Sequence, residues 1–443
     1  VIRYRARYVL PITAPPIAHG VVAVEGDRIV YVGPASAAPP GDEVDLGDAA
    51  LLPGLVNAHT HLELTAMRGF LEGLDFRSWI LRLTSAKRAV LSRDMLLDAA
   101  RYGIEEGLRR GITTFADTCD SGVAFDAMRE YRVRGVMYQE VFGPDPSQCA
   151  ASLAELRAKI EGLRPLETPL VRVGVSPHAP YTVSDALFTA AARYARDESL
   201  PMAIHIAESE LEQDLVVRGA GAFADGLRAR GITVAPRASS PIELLESLDV
   251  LAARPLLIHC VRVDATDIAT IARTRCTIAH CPASNAKLGH GIAPLAEFVD
   301  AGIAVGLGSD SVASNNRMDL LAESRLAALF QRARLAAFGE IDPAAALSLA
   351  TLGGARALGL DREIGSLEVG KTADLAAFPL EFLAPTHDPI AAVVFGLPGA
   401  NASFVSVAGR ELVRDGVLLV QDSALRDRVQ DSANALQRWL RGD

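Results

Sequence analysis

Eight short apolar runs, separated by long amphipathic stretches, dominate the middle of this chain. They read LLPGLVNAHTH, GITTFADT, RGVMYQEVF, VRVGVSPHAPYT, MAIHIAESE, PLLIHCVRV, CTIAHCPASN and IAVGLGSDS. Apolar runs of this length, bounded by turn residues, read as buried strands. Between them, stretches such as 96–110, 150–163, 185–196 and 292–301 have helical spacing. Strands that alternate with helices pair in parallel, and eight such units predict a (β/α)8 TIM barrel. The barrel is expected over residues 53–364.

The two ends of the chain have another character. GVVAVEGDRIVYVG holds two β-rich runs around Glu25, Gly26 and Asp27, the pattern of a hairpin. GSLEVGKTADLAAF and SFVSVAGRELVRDGVLL, both beyond residue 364, are again short β runs with glycine turns. Neither end has enough apolar surface to be stable alone. Residues 1–52 and 365–443 are therefore expected to join in one small β-sandwich domain. Residues from about 422 to 440 have helical spacing and should pack on the outside.

Bulk composition narrows the function. A net charge of -10 argues against a nucleic-acid polyanion as partner. The five cysteines are scattered and contain no CxxC pair, so they form neither a disulfide framework nor a structural zinc pattern. Arg3, Arg5 and Arg7 break up the apolar residues of the first segment, unlike a secretory signal. Residues 390–409 are uncharged, but Pro398 and several glycines make them a poor membrane span. The expectation is a cytoplasmic protein with a small-molecule partner, no nucleic acid and no membrane; a homodimer is left open.

Polar residues gather where the apolar runs end. His59 and His61 close the first run, His178 the fourth, His205 and Glu208 the fifth, His259 the sixth and Asp310 the eighth. Barrel active sites sit at the C-terminal ends of the strands. Residues two apart in a strand face the same side, so His59 and His61 share one face. His59, His61, His205 and Asp310 can converge on one divalent metal. Three imidazoles and a carboxylate suit zinc first, and also ferrous iron or nickel. Glu208, three residues past His205, is a candidate proton shuttle. His259 can donate to the attacked group or ligate a second metal. Cys260, Cys276, Cys281 and His280 read as packing residues, and His19, His290 and His387 have no assigned role.

NAHTH, SPHAPYT, HIAES, HCVRVD, AHCPASNAKLG and GLGSDSVASNN together resemble the amidohydrolase superfamily. The resemblance runs over nearly the whole chain. It points to the branch of hydrolytic deaminases that includes 5′-methylthioadenosine/S-adenosylhomocysteine deaminase. It implies a single metal on His59, His61, His205 and Asp310, Glu208 as proton shuttle, and His259 orienting the attack. His178 matches a substrate-contacting histidine. Binuclear relatives usually end the fourth strand in a carboxylated lysine; VRVGVSPHAP has none, which favours one metal. The implied reaction is attack of hydroxide on the amino-bearing carbon of an aminopurine. Glu208 would carry the water proton to the ring nitrogen, Asp310 and His259 would stabilise the tetrahedral intermediate, and ammonia would leave.

The chain departs from the methylthioadenosine type at one point. There a tryptophan is followed nine residues later by a ribose-contacting glutamate; here Trp79 is followed by Arg88. Arginine suits a carboxylate through a bidentate contact. FRSWILRLTSAKR, YQEVFGPDP and SNAKLGHGIAP are also similar to aminofutalosine deaminases, whose substrate is an adenine nucleoside carrying a benzoate, from menaquinone biosynthesis. Arg82 or Arg88 could meet that benzoate, or lie on a solvated helix face. Other readings stay open: a methylthioadenosine, S-adenosylhomocysteine or adenosine deaminase; a chlorohydrolase or a guanine or cytosine deaminase; or a metal-binding barrel without catalysis. Residues 68–93, which carry Trp79, are the expected cover of the site.

Overall fold

The computed structural model describes residues 1–337 and 339–442. Its N-terminal strands are β1 (Ile2–Val9), β2 (Ile17–Glu25), β3 (Arg28–Pro34), β4 (Asp42–Asp45) and β5 (Ala49–Pro53). The β2–β3 hairpin turns at Gly26, whose φ of 61° is the left-handed conformation that glycine adopts without strain. The barrel strands follow as β6 (Leu55–Thr60), β7 (Ile112–Cys119), β8 (Arg134–Val141) and β9 (Val171–Pro177). They continue as β10 (Ala203–Ile206), β11 (Leu256–His259), β12 (Thr277–His280) and β13 (Val305–Leu307). The C-terminal strands are β14 (Leu375–Pro379), β15 (Phe404–Val407), β16 (Arg410–Arg414) and β17 (Val417–Leu418).

All eight apolar runs therefore contain a barrel strand. β6 to β9 form one parallel quartet and β10 to β13 another. Two parallel bridges, Val175 with Met202 and Thr60 with Asp310, close the quartets into a ring. The strands are buried almost throughout because helices cover the outside and side chains fill the inside.

The two chain ends share one nine-stranded sheet, ordered β17-β16-β15-β14-β5-β1-β2-β3 with β4 beside β1. The expected sandwich is thus a single sheet folded over its own core. Tyr4 of β1 lies 4.7 Å from Phe404 of β15, ring to ring, although two strands separate them in the sheet. Val22, Val24, Ile29, Leu51 and Leu375 fill the space between the two faces. The chain passes from sheet to barrel at Gly54. A Cβ there would lie 2.1 Å from Thr113 Oγ1, so only glycine fits.

Helix α1 (Phe76–Val90) starts at Asp75, whose side chain accepts from Ser78 N. Helix α2 (Arg93–Arg109) starts at Ser92 in the same way. The stretch expected over 292–301 is helical only at Leu295–Asp300, because Pro294 stands at its start. The terminal helix, Leu425–Arg441, packs Leu425 and Val429 on Ala66 and Ala99, outside the barrel. No helix among the described residues is long and apolar enough to cross a membrane.

Candidate active site

His59 is the last but one residue of β6, and His61 follows the strand directly. His205 lies within β10, and Asp310 stands three residues beyond β13. Ring closure brings them together. Asp310 N donates to His59 O at 3.0 Å across the seam. His59 Nε2 and His61 Nε2 lie 3.3 and 3.7 Å from Asp310 Oδ1. The His205 ring is 4.9 Å from His59 and 5.4 Å from His61. Ligand atoms of the three histidines all fall within 4.8 Å of one another, close enough to share one ion.

The ring nitrogens are prepared for a metal. His61 Nδ1 donates to Thr118 O at 2.9 Å, and His205 Nδ1 to His178 O at 3.2 Å. Each bond leaves Nε2 with a free lone pair. His59 Nε2 is buried with no hydrogen-bond partner among the described residues. Burial and neighbouring imidazoles hold His61 down at about 3 and His205 well below its usual value, so both rings are neutral. Burial alone would raise Asp310, but its contacts with the surrounding imidazoles, His59 first, hold it well below the ordinary carboxylate range. The Ser284 and Ser314 hydroxyls donate to Asp310 Oδ2, and Ser311 N donates to Oδ1. Ligand atoms of Asp310 group with those of His59 and His259, so His59 is common to both groups, and His59, His61, His205 and Asp310 are donors of the kind that hold one divalent ion.

Glu208 stands beside this group. The chain leaves β10 at Ala207, with φ of 52°, and this turn swings Glu208 inward. Its Oε1 lies 3.5 Å from His259 Nε2 and 3.3 Å from His290 Nε2. Burial pushes its pKa up, but the two histidines bring it below the ordinary carboxylate value. His259 is fixed through Nδ1 by Asn285 Oδ1 at 2.9 Å. Glu212 holds the turn itself, accepting Ala207 N and Glu208 N at 2.8 and 3.1 Å. Ala207, His259, Cys260 and Asp310 all have positive φ. Such strain clusters at functional sites.

A cavity of about 330 Å³ opens above the cluster. Residues of α1 form one wall, including Phe76, Trp79, Lys87 and Arg88. His178, Tyr181, Glu208, His259 and Asp310 line it as well. His178 Nδ1 lies 2.8 Å from Thr182 Oγ1 and its ring packs on Phe142 at 5.0 Å. Arg88 is exposed at the mouth, with no ion pair among the described residues, whereas Arg82 does not line the cavity. His280 is buried away from it.

Three features escaped the sequence. His290 sits in a loop between Gly289 and Gly291, both at positive φ, where no periodicity marks it. Glu140, inside the apolar run of β8, lines the cavity. Lys87 bonds both Glu63 and Asp120, tying α1 to the ends of the first two barrel strands.

A closed parallel barrel that gathers three imidazoles and two carboxylates at its strand ends has the groups that metal-assisted hydrolysis uses. The chain is a member of the amidohydrolase family, whose model matches residues 50–412, and so a hydrolase acting on carbon–nitrogen bonds. It is 33% identical over 425 residues to a 5-methylthioadenosine/S-adenosylhomocysteine deaminase of Moorella thermoacetica, covering 94% of each chain. It is 32% identical to a 5′-deoxyadenosine deaminase of Methanothermobacter thermautotrophicus, covering 95% of each. Among solved structures, an adenosine deaminase from Xanthomonas campestris with bound zinc superposes with a TM-score of 0.87. That protein is 29% identical, with 98% of each chain covered.

Proposed function

We propose that this chain is a metal-dependent deaminase that hydrolyses the exocyclic amine of an adenine nucleoside and releases ammonia. The observation that carries this reading is Glu208, buried between His259 and His290 beside the four candidate ligands. A barrel that only bound a metal would have no use for a proton carrier there. Relatives of similar length, named as deaminases of adenine nucleosides, support the same chemistry.

His59, His61, His205 and Asp310 would hold the ion, zinc foremost and ferrous iron as the alternative. When bound, it lowers the pKa of water toward neutrality and so supplies the nucleophile. Glu208 accepts the water proton and delivers it to the ring nitrogen next to the attacked carbon. His259, held by Asn285, presents Nε2 to the oxygen added there. Asp310, fixed by Ser284, Ser314 and Ser311, accepts the next proton and passes it toward the departing amine. Trp79, Phe76 and Tyr181 enclose the purine and exclude bulk water, while His178 contacts the ring.

Within this class we propose 6-aminodeoxyfutalosine as the substrate, with a cytoplasmic place in menaquinone biosynthesis. Arg88 supports it, since an arginine without a carboxylate partner at the cavity mouth suits a benzoate. Arg77 and Arg230 line the same cavity. The identities above favour 5′-methylthioadenosine or S-adenosylhomocysteine as the second reading. The deciding experiment measures ammonia release from these three compounds, adenosine and guanine, and chloride release from a chlorotriazine, with wild type and Arg88→Ala. We expect 6-aminodeoxyfutalosine to be turned over best, and Arg88→Ala to lose about tenfold on it alone. Equal loss on adenosine removes the benzoate contact; no release from any adenine nucleoside overturns the class.

A further inference from the structure

The cavity contains one acidic group that the reaction above does not use. Glu140 is the seventh residue of β8, at the C-terminal end of the third barrel strand. It is only 7% exposed, yet it lines the cavity. Its Oε1 is buried with no hydrogen-bond partner among the described residues. Lys87, the cation on the same wall, is engaged by Glu63 and Asp120 instead. Of the other buried acids near the site, Asp117 also keeps one oxygen, Oδ1, without a partner among the described residues, but it does not line the cavity, and Glu212 and Glu323 are satisfied. Glu212 accepts two backbone N–H groups, and Glu323 accepts from Ala283 N and Asn315 Nδ2. A buried carboxyl oxygen without a donor is costly, so one that faces a cavity is suited to a donor on a ligand.

Its position indicates which part of the ligand. Strands three, four and five follow one another around the barrel, and Glu140, His178 and Glu208 stand at or just beyond their ends. A carboxyl oxygen of Glu140 lies within 4.8 Å of ligand nitrogens of His178 and His205. Glu208 serves the reacting edge of the base. Glu140 reaches the cavity on the far side of His178 from Glu208, away from the reacting edge and toward the side where a substituent on the base would fit. A nucleoside offers there a vicinal diol, whose two O–H groups match the two oxygens of one carboxyl. Arg88, on another wall of the same cavity, carries donors only and cannot accept a hydrogen bond from a hydroxyl.

Resting on the adenine-nucleoside reading, we propose that Glu140 accepts the hydroxyls of the substrate's sugar and is a specificity-determining residue for ribonucleosides. Glu140, His178 and His205 could also surround a cation. That arrangement shares His205 with the ligand set, and one Nε2 cannot serve two ions.

The test uses the metal-loaded protein and three nucleosides: 6-aminodeoxyfutalosine, 5′-methylthioadenosine and adenosine, each paired with its 2′,3′-dideoxy analogue. Wild type should prefer the diol form by about a hundredfold in kcat/KM, and Glu140→Gln should erase most of that preference. The variant's loss should fall on the diol substrates, while the dideoxy analogues change by less than about twofold and metal content stays the same. Wild type acting equally on both forms overturns the proposal, whether or not the variant folds. So does an equal loss by Glu140→Gln on both forms, or loss of metal in that variant. No turnover of any nucleoside by wild type overturns the deaminase reading itself, and this proposal with it.

Discussion

Removing one negative charge isolates the role proposed for Glu208. Glu208→Gln keeps the size of the side chain and its place between His259 and His290, but it cannot accept the water proton. We predict full metal content and a fall in kcat of about a thousandfold. Metal analysis beside initial rates checks this, and turnover at the wild-type rate would defeat the assignment. The candidate ligands were legible in the sequence because histidine is scarce and each one closes an apolar run. Glu140 was not legible. A barrel strand buried on both faces shows no polar alternation, so one acid inside YQEVF carries no mark of where it points. His290 was hidden for a different reason, since a loop bent at two glycines has no period at all.

Helix α1 makes a wall of the cavity, and its last turn is anchored by charge. Lys87 is 16% exposed and bonds Glu63, which is 2% exposed, and Asp120. The carboxylates hold its ammonium above its ordinary value despite burial. Lys87→Met would leave these acids without their cation, and breaking a buried pair in this way typically costs about 3 kcal/mol. A lower Tm is expected, with part of it restored in Lys87→Met/Glu63→Gln. A Tm unchanged in the single variant would show that the pair does not anchor the helix. At this scale the sequence was informative about kind and poor about extent. All eight runs became strands, but β10 and β13 are much shorter than their runs. Ala207 and Asp310 turn into left-handed conformations there, and a string of apolar residues does not show where such a turn falls.

The molecule as a whole is held together by pairing between distant parts of the chain. Arg134, on β8, forms two hydrogen bonds with Asp374 at 2.8 and 3.2 Å, both side chains being buried. Gly54 N donates to Asp374 O at 2.8 Å, and Ala408 N to Asp374 Oδ1 at the same distance. Asp374 thus links the barrel to the sheet built from both ends. Asp374→Ala would leave the buried guanidinium of Arg134 only its longer ion pair with Glu363 at 3.7 Å, and we predict a loss of about 3 kcal/mol in unfolding free energy, read as a lower urea midpoint. Specific activity of the folded protein should not change, because the site lies at the opposite ends of the barrel strands. That the two ends would join was legible from their shared β character. Their union in one folded sheet was not, since register depends on which edges meet, and composition says nothing of edges.

The barrel closes where Thr60 meets Asp310, 250 residues later in the chain. Of the four candidate ligands, His59 and His61 lie on one side of that seam and Asp310 on the other, while His205 comes from β10, at the far end of the second quartet. During synthesis the earlier strands emerge first and must wait, half exposed, for a partner that the ribosome has not yet made. Hydrolytic competence therefore arrives late and all at once, when the last strand slots in. A truncated product that stops short of Asp310 is not a weakened enzyme but an open sheet with an unpaired edge.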